Sequence, residues 1–227
     1  KKIKKKRKAV WDQWYTVTLK KVPYQYYHET VEVIDGRYRY QSQTWKKDNG
    51  YITQENMGSY AMNDAALTPQ FFNYVSLFKA TELSIDGTIY DKGKGKELGV
   101  IIKYKDQKKP RVQRIVQNGT IFSSMFPIWL GKKLQKLTIG QSAPFKGILE
   151  DNLDPQVLFQ PVTGRIWVQE PDAFSRQTGT AKVRVVFNAL ESTWWVERTG
   201  SAIKISMPSV QAEVLRTTEQ KARTFLN

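Results

Sequence analysis

Residues 30–45 read TVEVIDGRYRYQSQTW, and this stretch decides the fold class. Two runs rich in β-branched and aromatic residues, 30–34 and 37–45, flank the dipeptide Asp35-Gly36. An Asp-Gly pair readily adopts the positive φ angles of a type I′ turn, the commonest two-residue connection of a β-hairpin. The stretch therefore predicts two antiparallel strands joined by a tight turn.

Two further dipeptides of this kind, Asp86-Gly87 and Asn118-Gly119, stand between short strand-like runs and predict two more hairpins. Residues 68–79 are rich in Phe, Tyr and Val and are predicted to be extended. Further strand-like runs, most of them bounded by Gly, Pro or polar turns, occupy 98–104, 164–169, 181–187, 193–197, 202–207 and 211–215. The regular spacing of these runs predicts a meander of antiparallel strands.

The predicted fold class is all-β: a highly curved antiparallel sheet or open half-barrel with a short C-terminal helix. The helix is expected after Thr217, because TTEQ at 217–220 fits a capping box. We assign residues 1–12 to a basic N-terminal arm and residues 13–227 to a single β-rich domain. Pro127 and Gly131 interrupt the pattern, so a division into two sheet halves near 125–131 is an alternative.

Composition excludes several kinds of chemistry. The chain has no cysteine and one histidine, His28, so disulfides, thiol catalysis and multi-histidine metal sites are ruled out. We interpret His28 as a strand residue with a satisfied ring nitrogen, and we predict no enzyme activity, no cofactor and no metal. A calcium ion held by Glu150, Asp151 and Asp154 is the weak alternative, since these acids lack the spacing of an EF-hand.

The charge is concentrated at the N-terminus. The net charge is +15, and residues 1–8 supply seven positive units of it. Such a block is either a solvated end or a contact for phosphate groups of lipid or nucleic acid. The residues proposed for that anionic contact are Lys4, Lys5, Lys6, Arg7 and Lys8. Because the chain does not begin with Met, we also expect that a leader precedes it.

Aromatic residues make up 12% of the chain and include seven Trp. Rings on one face of a curved sheet either form its core or line a ligand groove. Trp194 and Trp195 are adjacent in a predicted strand and must point to opposite faces. The candidate ligand-binding rings are Trp14, Tyr26, Trp45, Trp167, Trp194 and Trp195.

Two segments resemble a known group of proteins. WYTVTL at 14–19 is followed by Val22-Pro23-Tyr24, and STWWVERTG at 192–200 is followed by a strand and by RTTEQKA at 216–222. They resemble the opening and closing segments of bacterial extracytoplasmic β-sheet proteins of the DUF3108 and transglutaminase-associated kind. Pro23 stands where those proteins usually have glycine. The resemblance implies a curved sheet similar to the half-barrels of the outer-membrane lipoprotein carriers LolA and LolB, located in the periplasm or cell envelope.

The resemblance and the residues together predict a non-enzymatic extracytoplasmic binding or envelope protein. Its aromatic-lined concave face would hold a lipid, the acyl chain of a lipoprotein, or a partner polypeptide, and its basic arm would meet an anionic membrane surface. Two alternatives stay open. One is a nucleic-acid-binding β-barrel that uses the arm and exposed rings. The other is a carbohydrate-active cell-wall protein whose rings stack on sugars.

Overall fold

A computed structural model describes residues 7–48, 50–78, 81–93, 95–104, 107–108, 112–151 and 159–226. Its main feature is a single sheet of sixteen strands. The strands of the first half are β1 (Arg7–Leu19), β2 (Val22–Ile34), β3 (Arg37–Asp48), β4 (Tyr51–Met62), β5 (Pro69–Phe78), β6 (Thr81–Asp91), β7 (Lys96–Tyr104), β8 (Gln107–Lys108) and β9 (Val112–Val116). Those of the second half are β10 (Thr120–Phe122), β11 (Ser142–Ile148), β12 (Val162–Gln169), β13 (Ala181–Phe187), β14 (Leu190–Val196), β15 (Ala202–Met207) and β16 (Ala212–Thr217).

The sheet curls into a nearly closed barrel. Its strand order runs β10-β11-β12-β13-β14-β15-β16-β1-β2-β3-β4-β5-β6-β7-β8, and β9 also pairs with β7. All pairs are antiparallel except β10 with β11. Because β1 pairs with both β2 and β16, the first and last strands of the chain join the two halves. The all-β, strongly curved fold predicted from the sequence is confirmed.

The hairpin at Asp35-Gly36 is confirmed. β2 and β3 pair in register up to Ile34 and Arg37, and the two turn residues have φ angles of 49° and 77°. Both angles are positive, as a type I′ turn requires.

The turn predicted at Asp86-Gly87 is wrong, because β6 runs straight through this dipeptide. Gly87 lies opposite Phe72 of β5, and a Cβ at this position would lie 2.0 Å from the Phe72 ring. Glycine is therefore required here because it lets a buried ring approach the backbone closely. It does not form a turn.

The hairpin predicted at Asn118-Gly119 is also wrong in its pairing. The chain does turn there, with Gly119 at a φ of 76°, but β10 leaves β9 and pairs in parallel with β11. The turn carries the chain from β9 at one edge of the sheet to β10 at the other edge.

Helix α1 (Phe126–Leu134) occupies the place where the sequence suggested a division of the sheet. It follows a short 3-10 helix at Ser123–Met125. Phe126, Ile128, Trp129 and Leu130 are buried in the same core cluster as inward-facing residues of the strands. One continuous sheet thus surrounds a central helix.

Backbone contact fixes α1 against the loop between β14 and β15. A Cβ on Gly200 would lie 1.7 Å from the carbonyl oxygen of Pro127, and Gly200 also has a φ of 96°. A Cβ on Gly131 would lie 2.3 Å from the carbonyl oxygen of Thr199. These two glycines allow the helix and the loop to touch without intervening side chains.

Two short helices cover the outside of the barrel: α2 (Ala173–Thr178) and α3 (Glu219–Arg223). The helix predicted after Thr217 is α3, and the Thr218 hydroxyl accepts a hydrogen bond from the Lys221 N–H as its N-cap. The strand at 68–79 is confirmed as β5. Residues 7–12, assigned to the arm from sequence, form the start of β1.

Candidate functional site

A cavity of about 530 Å³ lies between the start of α1 and the inner face of the sheet, which is the face turned toward α1. Its size falls within the range of about 300–1,000 Å³ that is typical of small-molecule sites. The partly exposed Leu19 and the exposed Val210 stand at its edge, so the cavity opens at the end of the barrel where β1 turns into β2.

One wall of the cavity is apolar. Val17 of β1 lies opposite Val214 of β16, and Leu19 lies opposite Ala212. Met207 of β15 pairs with Ala212 and extends the same surface. Side chains alternate between the two faces of a strand, so every second residue of these strands contributes to this wall.

The opposite wall is polar and comes from β2, β3 and β4. Tyr27, Thr44 and Glu55 lie side by side across these strands and face the cavity. Lys46 Nζ lies 2.8 Å from Glu55 Oε1 and donates a hydrogen bond to it. A molecule in the cavity would therefore meet an apolar surface on one side and hydrogen-bonding groups on the other.

Glu29 is the most deeply buried acid of the polar wall, with 7% of its surface exposed. Trp11 Nε1 donates to its Oε1 at 3.0 Å, and the Tyr40 hydroxyl donates to its Oε2 at 3.3 Å. Burial raises the pKa of Glu29 to about 7, because desolvation penalises the carboxylate more than these hydrogen bonds stabilise it. Burial and the nearby Glu29 also raise the pKa of the Tyr15 hydroxyl.

A second buried acid, Glu150, holds the start of the central helix. Its two carboxyl oxygens accept hydrogen bonds from the backbone N–H and the hydroxyl of both Ser123 and Ser124. The Ser124 hydroxyl also lies 2.6 Å from that of Ser59 in β4. Glu150 is fully buried, and desolvation raises its pKa to about 7. It therefore sets where Ser123 and Ser124 stand at the cavity floor.

Of the six rings predicted to bind a ligand, Trp194 lines this cavity. Its ring packs edge-on against Phe126 of α1 with 5.2 Å between centroids. Trp195 points to the outer face, where its Nε1 donates to the carboxylate of Asp172 at 3.1 Å and its ring meets Phe174. The prediction that these neighbours face opposite sides is confirmed.

Trp14, Tyr26 and Trp45 lie together on the outer face and so do not line the concave interior. Tyr26 and Trp45 stack at 4.8 Å, and Trp14 stacks on Trp45 at 6.2 Å. Ala222, Leu226 and Phe225, in and just after α3, pack against this group. Trp167 lies apart from them, beneath the guanidinium of Arg184 at 4.7 Å.

Arg7, Lys8 and His28 are also on the outside. Lys4, Lys5 and Lys6 lie outside the described residues, Lys8 is exposed, and Arg7 donates to Glu32 Oε1. His28 Nε2 lies 2.6 Å from Asp12 Oδ1, and its ring stacks on Trp14 at 4.4 Å. The ring nitrogen therefore has the partner that we expected of a strand histidine.

The calcium alternative finds no support in the geometry. Asp154 lies outside the described residues, and Glu150 is committed to Ser123 and Ser124. Within the described ranges, no group of three or more His, Asp or Glu side chains is placed to hold a metal ion.

Sequence reasoning missed Glu29, Tyr40 and the serines of the cavity floor. Strand alternation carried the signal for Glu29, since it shares a face with Tyr27 and Val31 and is thus an acid at an inward position. Nothing local indicated Ser123 and Ser124, because their place depends on where α1 sits inside the barrel.

Comparison with known proteins identifies the fold but no family. No family model matches the chain, and no curated protein matches it. A β-barrel-like protein of the domain of unknown function DUF1849 from Brucella abortus has a TM-score of 0.56 at 12% identity, covering 91% of this chain and 94% of that chain. A DUF1089 family protein from Pseudomonas aeruginosa has a TM-score of 0.43 at 15% identity, covering 81% and 90%.

The DUF1849 similarity supports a β-barrel-like fold for this chain and nothing more specific. Membership of the DUF3108 or LolA-type groups stays a prediction. Among the described residues, no helix combines the length and the apolar character needed to cross a lipid bilayer.

Proposed function

We propose that the protein is a non-enzymatic, extracytoplasmic binding protein that holds an amphipathic ligand, with a lipid acyl chain as the preferred candidate, inside its barrel. The observation that carries the proposal is the two-sided cavity beside α1. Val17, Val214 and Met207 offer a surface for methylene groups, and the facing strands offer hydrogen-bonding groups for a polar head.

The depth of the cavity favours an elongated ligand over a partner polypeptide. Leu19 lies near the opening, while Glu29 and Ser123 lie further in and also line the cavity. A chain entering at the open end can leave water along its whole length, and each buried methylene contributes about 0.8 kcal/mol. The extracytoplasmic location rests on the resemblance of residues 14–24 and 192–222 alone.

The test uses two tryptophan substitutions at consecutive positions of β16. Val214→Trp fills the cavity, whereas Leu215→Trp adds the same ring at an exposed, outward position. We expect the unaltered protein and Leu215→Trp to bind 11-(dansylamino)undecanoic acid with similar affinity and Val214→Trp to bind it at least tenfold more weakly. Fluorescence titration measures this difference.

Urea unfolding of each variant controls for folding. If Val214→Trp does not fold, Ala212→Leu replaces it as a smaller filling substitution in the same wall. Failure of the unaltered protein to bind the probe, or equal binding by the filled and unfilled variants, would contradict the proposal.

A further inference from the structure

A second concave site lies on the outer face of β1–β5. It is a groove of about 510 Å³, separated from the interior cavity by the sheet. The register aligns two neighbouring rows of outward side chains along it. The first row contains Asp12, Thr30, Gln41, Gly58 and Asn73, and the second contains Trp14, His28, Gln43 and Asn56.

The groove exists because Gly58 has no side chain. Its cross-strand neighbours Gln41 and Asn73 are both exposed and stand on either side of it. A Cβ added at Gly58 would meet only the Tyr40 carbonyl oxygen, at 4.0 Å. Neither backbone conformation nor packing requires glycine here, so a larger residue could fill the groove without disturbing the fold.

The charged groups around the groove are paired with one another. Asp12 lies 2.6 Å from His28, and Glu32 lies between Arg7 and Arg39. These pairs leave little free charge for an ionic ligand.

What the groove offers instead is uncharged hydrogen-bonding groups. Thr30 and the side-chain amides of Gln41, Gln43 and Asn56 line it. Asn56 Oδ1 is buried, and none of the described residues donates a hydrogen bond to it. Buried polar atoms in proteins are nearly always paired, so this oxygen is an acceptor for which a bound ligand can supply the donor.

Aromatic rings flank this polar strip at both ends. Trp45 and Tyr26 stack at 4.8 Å one row beyond Gln43, and Tyr60 and Phe71 stack at 4.2 Å one row beyond Gly58. Phe71 is 39% exposed. The exposed Phe71 ring beside this strip of amides suits a ligand that presents C–H faces as well as hydroxyl groups.

We infer that this groove, defined by Asp12, Thr30, Gln41, Gln43, Asn56, Gly58 and Asn73, binds a neutral, hydroxyl-rich ligand, namely a saccharide chain. Hydroxyl groups both donate and accept and so match side-chain amides, which do the same. The C–H faces of the sugar rings would pack on the exposed ring of Phe71. Ser42 and Met57 line both this groove and the interior cavity. The residues substituted in the two tests line at most one site each, so each site can be tested separately.

A single-stranded nucleic acid is the competing occupant, since it also uses rings and polar groups on open sheets. Arg7 and Arg39 are both paired with Glu32, and His28 is paired with Asp12. These basic side chains are therefore not free to bind phosphates. The structure therefore favours the uncharged ligand.

The experiment measures the binding of cellohexaose, maltohexaose and chitohexaose by isothermal titration calorimetry, with an oligothymidine dodecamer as the competing probe. We expect at least one hexasaccharide to bind the unaltered protein and to bind Gly58→Leu at least tenfold more weakly. Gln113→Leu, on an exposed position of β9, is the matched control and should bind as the unaltered protein does. Gln43→Ala removes a hydrogen-bonding group without filling the groove and should weaken binding severalfold.

Urea midpoints of all variants check the fold, and Gln43→Ala keeps the test valid if Gly58→Leu is unstable. Binding of none of the three sugars overturns the inference, as does sugar binding that neither groove variant weakens. Binding of the dodecamer that Gly58→Leu abolishes, without sugar binding, assigns the groove to nucleic acid and also overturns it.

Discussion

The indoles of Trp194 and Trp195, consecutive residues of β14, serve opposite sides of the barrel wall. Trp194 packs against Phe126 of the central helix, and Trp195 donates a hydrogen bond to Asp172 at the N-cap of α2. The strand thus ties an inner helix and an outer helix to the sheet at adjacent positions.

Alanine substitution should separate these two roles. Trp194→Ala should enlarge the cavity, weaken binding of the dansyl acyl probe and lower the urea midpoint. Trp195→Ala should leave probe binding within twofold and cost less than the about 3–5 kcal/mol typical of a fully buried Trp, because Trp195 is only partly buried. Equal loss of probe binding in both variants would show that ligand binding does not depend on which face of the sheet a ring occupies.

The anchoring of α1 by Glu150 predicts a large effect from a small change. Glu150→Ala removes the acceptor for the N–H and hydroxyl groups of Ser123 and Ser124, which are partly buried. Each buried unsatisfied donor costs about 1–3 kcal/mol, so we expect a loss of more than about 2 kcal/mol in the free energy of unfolding. Glu150→Gln, which keeps one carbonyl oxygen, should cost less. Equal stability of all three proteins would contradict the anchoring role.

The raised pKa values of Glu29 and Glu150 predict that stability falls as pH rises. Both values are about 7 in the folded protein, against an ordinary value of 4.5. Between these limits the unfolded chain loses protons that the folded protein keeps. The free energy of unfolding should therefore be greatest near pH 4.5 and decrease up to about pH 7.

Glu29→Gln isolates one of these two groups. Each shift corresponds to on the order of 3 kcal/mol, so the variant should lose about half of the decrease measured by urea unfolding at pH 4.5 and pH 8. The amide oxygen can still accept the hydrogen bond from Trp11, and the amide nitrogen can donate to the Tyr40 hydroxyl in place of the bond that Tyr40 donates now. If Glu29→Gln leaves the pH dependence of the free energy of unfolding unchanged, Glu29 does not have a raised pKa in the folded protein.

Because β6 continues through Gly87, alanine substitution should have opposite effects on stability at Gly87 and at Gly58. Gly87→Ala places a methyl group against the fully buried ring of Phe72 and should destabilise the protein by about 1–3 kcal/mol. Gly58→Ala meets open space and should be neutral or slightly stabilising. Phe72→Leu makes room for the added methyl group, so the double variant should recover part of the stability that Gly87→Ala loses. If Gly87 instead formed a turn, replacing Phe72 would recover nothing.

The comparison of Asp35-Gly36 with Asp86-Gly87 shows how far local sequence determines this fold. The same dipeptide makes a turn in one place and continues a strand in the other, because Gly87 must make room for Phe72, a residue 15 positions away in the chain. Strand positions after residue 160 followed their local patterns closely. Tertiary packing, which local sequence patterns do not contain, determined the elements that were predicted wrongly.

Local sequence likewise predicted only part of the candidate site. Alternation along β14 was enough to separate Trp194 from Trp195, whereas Glu29, on the inner face of β2, was not predicted. The rings of Trp14, Tyr26 and Trp45 gave no comparable signal, because α3 covers them from the outside. Helix α1 was missed because Phe126, Ile128 and Trp129 suit a strand equally well, and its burial within the barrel decides its conformation.

The most direct test of the proposed function is native mass spectrometry of the purified protein. We expect the unaltered protein and Leu215→Trp to carry an additional mass that organic solvent releases as a lipid, and Val214→Trp to lack it. An unaltered protein without bound lipid that also fails to take up the dansyl acyl probe, or one whose lipid is retained by Val214→Trp, would contradict the claim that the cavity beside α1 is a ligand site.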